Sequence, residues 1–204
     1  MTEGRNEGGM DFILASSNQG KVKEILDLFG EAHRVQTLKD IGYTDEIIED
    51  GKTFEENALI KAKAIYNWVP GGRVIIADDS GLEIDALDGK PGVYSARWLG
   101  ADTPYDIKNL QVLEMLDAVP EDKRGARFVS AIACILPDGE VKTARGTLEG
   151  RIASEARGHG GFGYDPIFYV PELGKNLAEL SREEKNRISH RAKALTRIRD
   201  LLEV

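Results

Sequence analysis

The chain has 204 residues, enough to bury a substantial core as one domain of one or two lobes. Its 27 lysine and arginine residues against 35 acidic residues give a net charge of −8, which argues against nonspecific binding to nucleic acid or to an anionic membrane. The single cysteine excludes an internal disulfide and a cysteine-based metal cluster, and it fits a reducing compartment. No segment approaches the roughly 20 apolar residues of a membrane span, so we expect a cytoplasmic protein without a membrane partner.

The chain begins with MTEGRNEGGM, which lacks the apolar stretch of a secretory signal. We predict that residues 1–10 are a disordered leader and that residues 11–204 form a single domain.

The next segment, DFILASSNQGKVKEILDLFG, predicts a strand, a turn and a helix. Phe12–Ala15 form the strand, and the helical positions are Val22, Ile25, Leu26 and Phe29. The turn is not a Walker loop, because its first glycine and the hydroxyl residue after the lysine are missing. Backbone N–H groups at a helix N-terminus, small residues and Lys21 nevertheless suit a phosphate. The alternative is that Ser17 or Asn18 only caps the helix.

A second helix begins at TFEENALIKAKAIYNW, where Thr53 and Glu56 have the spacing of a capping box. We predict that one face of this helix is lined by Leu59, Ala62, Tyr66 and Val69. An apolar strand, Arg73–Ala77, follows and leads into two adjacent carboxylates, Asp78 and Asp79.

The two carboxylates need not share a site, because adjacent residues on a strand point to opposite faces. We expect Asp79 to be compensated by a magnesium ion. We expect Asp78 to be satisfied by backbone N–H groups of the turn or by a basic partner such as Arg97.

The rest of the chain predicts further helices and strands. A third helix starts at Thr103-Pro104, ARFVSAIACIL predicts a central strand with Cys134 in the core, and PDG predicts a hairpin turn into EVKTARGTLEG. A terminal helical region starts at Ser181. The apolar positions of these two helical segments are Ile107, Leu110, Leu113 and Leu116, and Leu195, Ile198 and Leu202. Strands alternating with helices, plus one hairpin, indicate an α/β fold with a mixed sheet.

The glycine-rich segment GHGGFGYDPIF has the spacing of a dinucleotide-binding fingerprint, but no helix is predicted directly after it. We interpret it as a loop that closes onto a ligand and stacks Phe162 on a base, with a flexible hinge as the alternative. His190 and Arg191, at the start of the last helix, form either a solvated face or a set of donors for carbonyl acceptors on a base edge.

The acidic segment DEIIEDGKTFEEN contains several carboxylates that are solvated or cap a helix. One of them together with Asp79 would make an oxygen-ligand site suited to Mg²⁺. The chain has no histidine and cysteine cluster, which argues against zinc.

Five segments occur in one order along the chain: SSNQGK, TFEENALIKA, ADDSGLEIDALDGKPGVYSARW, GHGGFGYDPIF and SHRAKAL. This pattern resembles the inosine/xanthosine triphosphate pyrophosphatases over about residues 12–202. The resemblance implies a two-lobed α/β fold with a long mixed β-sheet flanked by helices, a substrate cleft between the lobes, and a homodimer.

The resemblance also implies roles for individual residues. The triphosphate would be bound by Ser16, Ser17, Asn18, Lys21 and Lys61. Asp79 would be the catalytic carboxylate and a Mg²⁺ ligand, with Ser80 beside it on the substrate and Glu49 as the second metal ligand. The base would be held by Phe162, Gly163, Tyr164 and Asp165, and Lys185, His190 and Arg191 would close over its 6-oxo edge.

The implied reaction is hydrolysis of ITP, dITP or XTP to the nucleoside monophosphate and pyrophosphate, with metal-assisted attack of water on the α-phosphorus. Small purine nucleoside triphosphates are therefore the expected partners, and nucleic acid is not. Two alternatives remain: a nucleotide-binding sensor without turnover, and a Mg²⁺-dependent hydrolase of another phosphate ester.

Overall fold

A computed structural model of the protein describes residues 10–29 and 33–203, so the predicted leader lies outside the described residues apart from Met10. The strands are β1 (Asp11–Leu14), β2 (Arg34–Thr37), β3 (Val74–Ile84), β4 (Gly125–Ile135), β5 (Val141–Ile152), β6 (Phe168–Val170) and β7 (Lys175–Asn176). The helices are α1 (Gln19–Phe29), α2 (Phe54–Trp68), α3 (Tyr105–Met115), α4 (Arg182–Ile188) and α5 (His190–Leu202).

The strands form one seven-stranded sheet in the order β2, β1, β3, β4, β5, β6, β7. Strand β1 pairs in parallel with β2 and β3, whereas β6 pairs antiparallel with β5 and β7. The predicted α/β fold with a mixed sheet is confirmed. None of the helices within residues 10–29 and 33–203 is long and apolar enough to cross a membrane.

The chain divides into two compact units. The first contains the described residues up to Asp79, Ala131–Ala144 and those from Leu195 onward, and the second contains Ser80–Ser130 and Arg145–Ala194. In the first unit, apolar side chains of β1, β3 and β4 pack against α2, with core members Ile13, Ala58, Ala62, Ile65, Ile75, Ala133 and Ile135. In the second unit, the core contains Leu82, Ile84, Val112, Phe128, Ile152, Tyr164 and Phe168.

Strand β3 differs from its prediction, because it continues beyond Ala77 through both aspartates to Ile84. The apolar residues Leu82 and Ile84 are fully buried and extend the strand past the polar pair. Both carboxylates are paired with cations, so the polar segment does not interrupt the sheet.

The buried face of α2 also differs from the predicted one. Its buried residues are Phe54, Asn57, Ala58, Lys61, Ala62 and Ile65. Of the four predicted positions, Ala62 and Val69 are buried, whereas Leu59 and Tyr66 are only partly buried against the same core. Apolar spacing pointed to a neighbouring face because Asn57 and Lys61 are polar residues on the buried side.

Helix ends follow the predicted capping chemistry with differences in detail. The Thr53 hydroxyl accepts from the N–H of Glu56 at 3.1 Å, but the Glu56 carboxylate accepts from the N–H of Lys52 rather than completing a capping box. The terminal region is two helices that break at Ser189, the first with a complete capping box between Ser181 and Glu184. On α3, the apolar positions Ile107 and Leu110 are exposed.

The predicted hairpin is confirmed, because β4 and β5 are neighbours in the sheet and only residues 136–140 connect them.

Cys134 is fully buried on β4. Burial raises the pKa of this thiol to about 12, so almost no thiolate forms near neutral pH. We expect no reaction of the folded protein with Ellman's reagent at pH 8 and one reacting thiol per chain after unfolding in urea. A full equivalent released at once from the folded protein would contradict this burial.

Candidate active site

The predicted phosphate turn lies between β1 and α1 in the first unit. The Asn18 side chain accepts from the N–H of Lys21 at 3.1 Å, and the Ser16 hydroxyl accepts from the N–H of Asn18 at 3.3 Å. Asn18 therefore caps α1, which was the alternative interpretation of this turn. Ser17 and Asn18 are exposed to solvent and are therefore accessible to a ligand. Phosphate binding by the turn stays a prediction.

Asp78 forms an ion pair with Lys21, whose Nζ lies 2.9 Å from the Asp78 Oδ2. The expected basic partner of Asp78 is therefore present, and it is Lys21, where Arg97 was named as the example. The guanidinium of Arg97 instead lies over the ring of Tyr94, at 5.1 Å from its centroid. Because the Asp78 carboxylate is fully buried, it needs a cation in direct contact, and α1 supplies one.

Asp79 is held by a different set of groups, as expected for the next residue on a strand. Its Oδ1 lies 3.3 Å from the Nζ of Lys61, and its Oδ2 accepts from the Nδ2 of Asn57 at 3.2 Å. The same Lys61 ammonium donates to the Oε2 of Glu49 at 3.0 Å. The structure thus brings together Asp79 and Glu49, the two predicted metal ligands, on one cation.

Three carboxylates, of Glu49, Asp78 and Asp79, face two ammonium groups here, an excess of one negative charge. Burial raises the pKa of Asp79, and Glu49 and Asp78 add to the rise, while Lys61 and Lys21 oppose it. Burial lowers the pKa of Lys61, but Asp79 and Glu49 outweigh it, so that pKa is raised overall. We call these five residues and Asn57 the acidic group.

The acidic group fits a magnesium ion in its chemistry. Its ligands would be carboxylate oxygens, its net charge is negative, and Lys61 already places a cation between Asp79 and Glu49. No cluster of three or more potential ligands of the His, Cys, Asp and Glu types occurs among the described residues. Two carboxylates suffice for Mg²⁺ when substrate phosphates and water complete its shell.

Asn57 in the acidic group and Gly51 next to it were not predicted as site residues from the sequence. Asn57 is fully buried, and its Oδ1 accepts from the N–H of Gly51 at 2.9 Å. An asparagine four residues before Lys61 on a helix shares its face, which is the signal in the sequence that points to it.

In the second unit, the glycine-rich loop is tied down by a buried carboxylate. The Asp165 Oδ2 accepts from the N–H of Phe162 at 2.8 Å and from the Nζ of Lys185 at 2.7 Å. Asp165 is 2% exposed, so this ion pair is removed from water. A Cβ added at Gly161 would meet Asp165, and Gly161 has a φ of +68°, so the tight approach requires glycine.

Phe162 is half-buried and so does not belong to the core. The Lys185 ammonium lies 4.6 Å and the Arg191 guanidinium 5.9 Å from the centroid of its ring. Two cationic groups therefore lie close to the ring, and they attract electron-rich acceptors such as carbonyl oxygens.

Hydrogen bonds of Tyr164 and Gly163 attach the glycine-rich loop to the rest of the second unit. The Tyr164 side chain is buried in the core of the second unit, and its hydroxyl donates to the Ser95 carbonyl at 2.8 Å. Burial raises the pKa of this hydroxyl. The Gly163 carbonyl accepts from the Nδ2 of Asn109 on α3 at 3.2 Å, another contact that the sequence did not reveal.

His190 and Arg191 are buried, so the alternative of a solvated face is wrong for both. Arg191 is 1% exposed, and its Nη2 donates to the Ser80 hydroxyl at 3.0 Å. The His190 ring stacks on Phe128 at 5.0 Å between centroids. The structure therefore joins two predicted site residues, Ser80 and Arg191, by a hydrogen bond.

A sequence model of the Ham1 family matches residues 12–201. The chain belongs to the Ham1 family. The dITP/XTP pyrophosphatase of Bacillus licheniformis is 48% identical over 195 residues, covering 95% of this chain and 98% of that protein. That of Bacillus subtilis is 48% identical over 192 residues, covering 94% and 96%. The solved structure of the Staphylococcus aureus Ham1 protein matches with a TM-score of 0.85 at 40% identity, covering 95% and 98%.

Membership of the Ham1 family confirms the resemblance inferred from the five motifs, and the structural match supports the predicted fold. In this Ham1 chain, the predicted residues fall into groups within each unit. The first unit joins Glu49, Lys61 and Asp79, and pairs Lys21 with Asp78. The second unit joins Phe162, Asp165 and Lys185, and pairs Ser80 with Arg191.

Proposed function

We propose that this Ham1-family chain hydrolyses noncanonical purine nucleoside triphosphates, ITP, dITP and XTP, to the monophosphate and pyrophosphate, and so clears them from the nucleotide pool. The observation that carries the proposal is the acidic group, in which the buried Asp79 and the partly exposed Glu49 share the ammonium of Lys61. The similar proteins of two Bacillus species, named dITP/XTP pyrophosphatases, support the substrate class.

We propose that Asp79 and Glu49 hold Mg²⁺, which when bound neutralises charge on the phosphate oxygens. A nucleoside triphosphate carries about four negative charges, which this acidic chain must compensate locally. The ammonium groups of Lys61 and Lys21 and the N–H groups at the start of α1, next to Ser16, Ser17 and Asn18, supply positive charge.

Asp79 is the proposed general base that accepts a proton from the water attacking the α-phosphorus. Its Oδ2 is held by the neutral amide of Asn57 and its Oδ1 by Lys61, so the carboxylate has a defined orientation. A base held in place within reach of water lowers the entropic part of the barrier. Pyrophosphate is the leaving group.

The base is proposed to stack on Phe162, with the cationic groups of Lys185 and Arg191 nearby. His190, Gly163, Tyr164, Asp165 and Ser80 complete the proposed substrate-binding set. Donors at this position favour a 6-oxo group over the 6-amino group of adenine, because two donors facing each other in a buried site are both unpaired.

The test is to incubate the protein with Mg²⁺ and each of ITP, dITP, XTP, GTP and ATP, and to quantify pyrophosphate and orthophosphate. We expect pyrophosphate from ITP, dITP and XTP, with ATP a poor substrate. Binding of ITP without product would identify a sensor. Orthophosphate release, or equal turnover of ATP, would identify a different phosphate-ester hydrolase.

Replacing Phe162 with alanine is expected to raise the KM for ITP. The lost base stacking corresponds to about 1–3 kcal/mol, or roughly 5- to 150-fold. Phe162→Tyr keeps the aromatic face and should remain close to the wild type. If Phe162→Ala leaves KM unchanged, the side chain closes the loop without contacting the base.

The chain is also proposed to act in the cytoplasm as a homodimer, as the family resemblance implies. Sedimentation velocity at micromolar concentration should then give a species of twice the chain mass, and a monomer would contradict the proposal.

A further inference from the structure

Asn57 lies near the start of α2. Its polar side chain is fully buried, with 0% exposure. A buried amide is tolerated only when its donor and its acceptor are both satisfied. Its two ends have defined partners: the Nδ2 faces the Oδ2 of Asp79 at 3.2 Å, and the Oδ1 faces the N–H of Gly51 at 2.9 Å.

This geometry fixes the orientation of the Asn57 amide. A carboxylate oxygen needs a donor and a backbone N–H needs an acceptor, so a flipped amide would place like groups opposite each other at both ends. The approach of Gly51 is equally constrained, because a Cβ there would lie 2.6 Å from the Asn57 Oδ1. The segment that carries Glu49, two residues before Gly51, is thereby tied to Asp79.

Lys61, one turn further along α2, makes a second connection between the same two parts, from Glu49 to the other oxygen of Asp79. The two connections differ in character. Lys61 carries a charge that triphosphate oxygens attract, whereas the amide of Asn57 is neutral and competes with neither Mg²⁺ nor phosphate. The Asn57 connection can therefore persist when the contacts of Lys61 change.

We propose that Asn57 is a positioning residue that fixes Asp79 and the segment carrying Glu49 relative to each other. Both carboxylates then stay in place to bind Mg²⁺ when Lys61 moves to contact the substrate. The inference rests on the proposed function for its link to catalysis. The Oδ2 of Asp79 is bound by the neutral amide of Asn57, whereas its Oδ1 contacts the charged ammonium of Lys61. Asn57 acts through Asp79 and Glu49 without touching the reacting atoms.

The experiment compares Asn57→Leu, which removes both hydrogen bonds at similar volume, with Asn67→Leu, a change of the same type at an exposed position of α2. Mg²⁺ alone is titrated into each protein by isothermal calorimetry without nucleotide, and kcat and KM for ITP are measured with saturating Mg²⁺. Loss of a group that orients metal ligands typically weakens metal binding by about 10- to 100-fold.

We expect Asn57→Leu to bind Mg²⁺ about tenfold or more weakly and to lose kcat with little change in the KM for ITP. Asn67→Leu should match the wild type in both respects. Gly51→Ala disturbs the same hydrogen bond from the other side and should weaken Mg²⁺ binding too, which keeps the test decisive if Asn57→Leu does not fold.

The proposal is overturned if folded Asn57→Leu or Gly51→Ala protein binds Mg²⁺ and turns over ITP within twofold of the wild type. A purely structural role would lower the melting temperature while leaving both quantities unchanged well below it. If wild-type protein releases no pyrophosphate from ITP, the proposed function fails, and the Mg²⁺ titration still decides whether Asn57 positions the carboxylates.

Discussion

Asp79→Asn is expected to abolish the release of pyrophosphate from ITP while ITP binding is retained. The amide cannot accept a proton from water, and general base catalysis contributes about 10²–10⁴-fold. It also replaces a carboxylate ligand of the proposed Mg²⁺ site, so kcat should fall by at least about a hundredfold. The proposed contacts to the triphosphate and to the base remain in place. Discontinuous assays of pyrophosphate release measure turnover, and equilibrium dialysis with ITP measures binding.

Asp78→Asn, at the neighbouring carboxylate, is expected to affect stability differently from Asp79→Asn. Asp78→Asn removes the buried partner of Lys21 and should lower the free energy of unfolding, because it leaves a charge without its counterion. Asp79→Asn should not lower it in metal-free protein, since burial and two nearby carboxylates already raise the pKa of Asp79 and disfavour its charged form. Wild-type turnover by Asp79→Asn would exclude Asp79 as the base.

Lys185→Met is expected to destabilise the second unit strongly and to impair base binding. It removes the cation that lies 2.7 Å from the Asp165 carboxylate, which is 2% exposed and accepts the N–H of Phe162 as well. Breaking a buried ion pair by removing one partner typically costs about 3–5 kcal/mol. Urea denaturation should show this loss in the free energy of unfolding, and the KM for ITP should rise.

Two further variants separate the buried pair from the general effect of changing a cation on α4. Arg187→Met, at an exposed position two residues later, should leave stability and KM close to the wild type. The double variant Lys185→Met/Asp165→Asn should recover part of the stability, because the uncompensated carboxylate is gone. Equal stability of Lys185→Met and wild type would show that the ion pair is not needed for the loop.

The motifs in the sequence predicted the family, the mixed sheet and the hairpin, because each depends on local patterns of apolar residues, turns and caps. They also pointed to Asp79 and Glu49, which the structure brings together on Lys61. What they did not predict were the partners of buried polar groups. Arg97 was named as a partner of Asp78, whereas the structure pairs this carboxylate with Lys21 of α1.

The burial of polar residues was the main source of difference. Periodicity places apolar residues on the buried face of a helix, so it could not assign Asn57, Lys61, His190 or Arg191 to the interior. In the structure, Asn57 and Lys61 contact Asp79, Arg191 contacts Ser80, and His190 stacks on Phe128. Such contacts with other parts of the chain depend on tertiary packing. For the same reason, the exposure of Ile107 and Leu110 on α3 was not visible from helical spacing.

The central claim, attack of water on the α-phosphorus, is tested most directly by hydrolysis of ITP in water labelled with the heavy oxygen isotope. Mass spectrometry of the two products locates the label after a single turnover. The proposed mechanism predicts one labelled oxygen in the phosphate of IMP and none in pyrophosphate. Label in pyrophosphate, or in released orthophosphate, would contradict it.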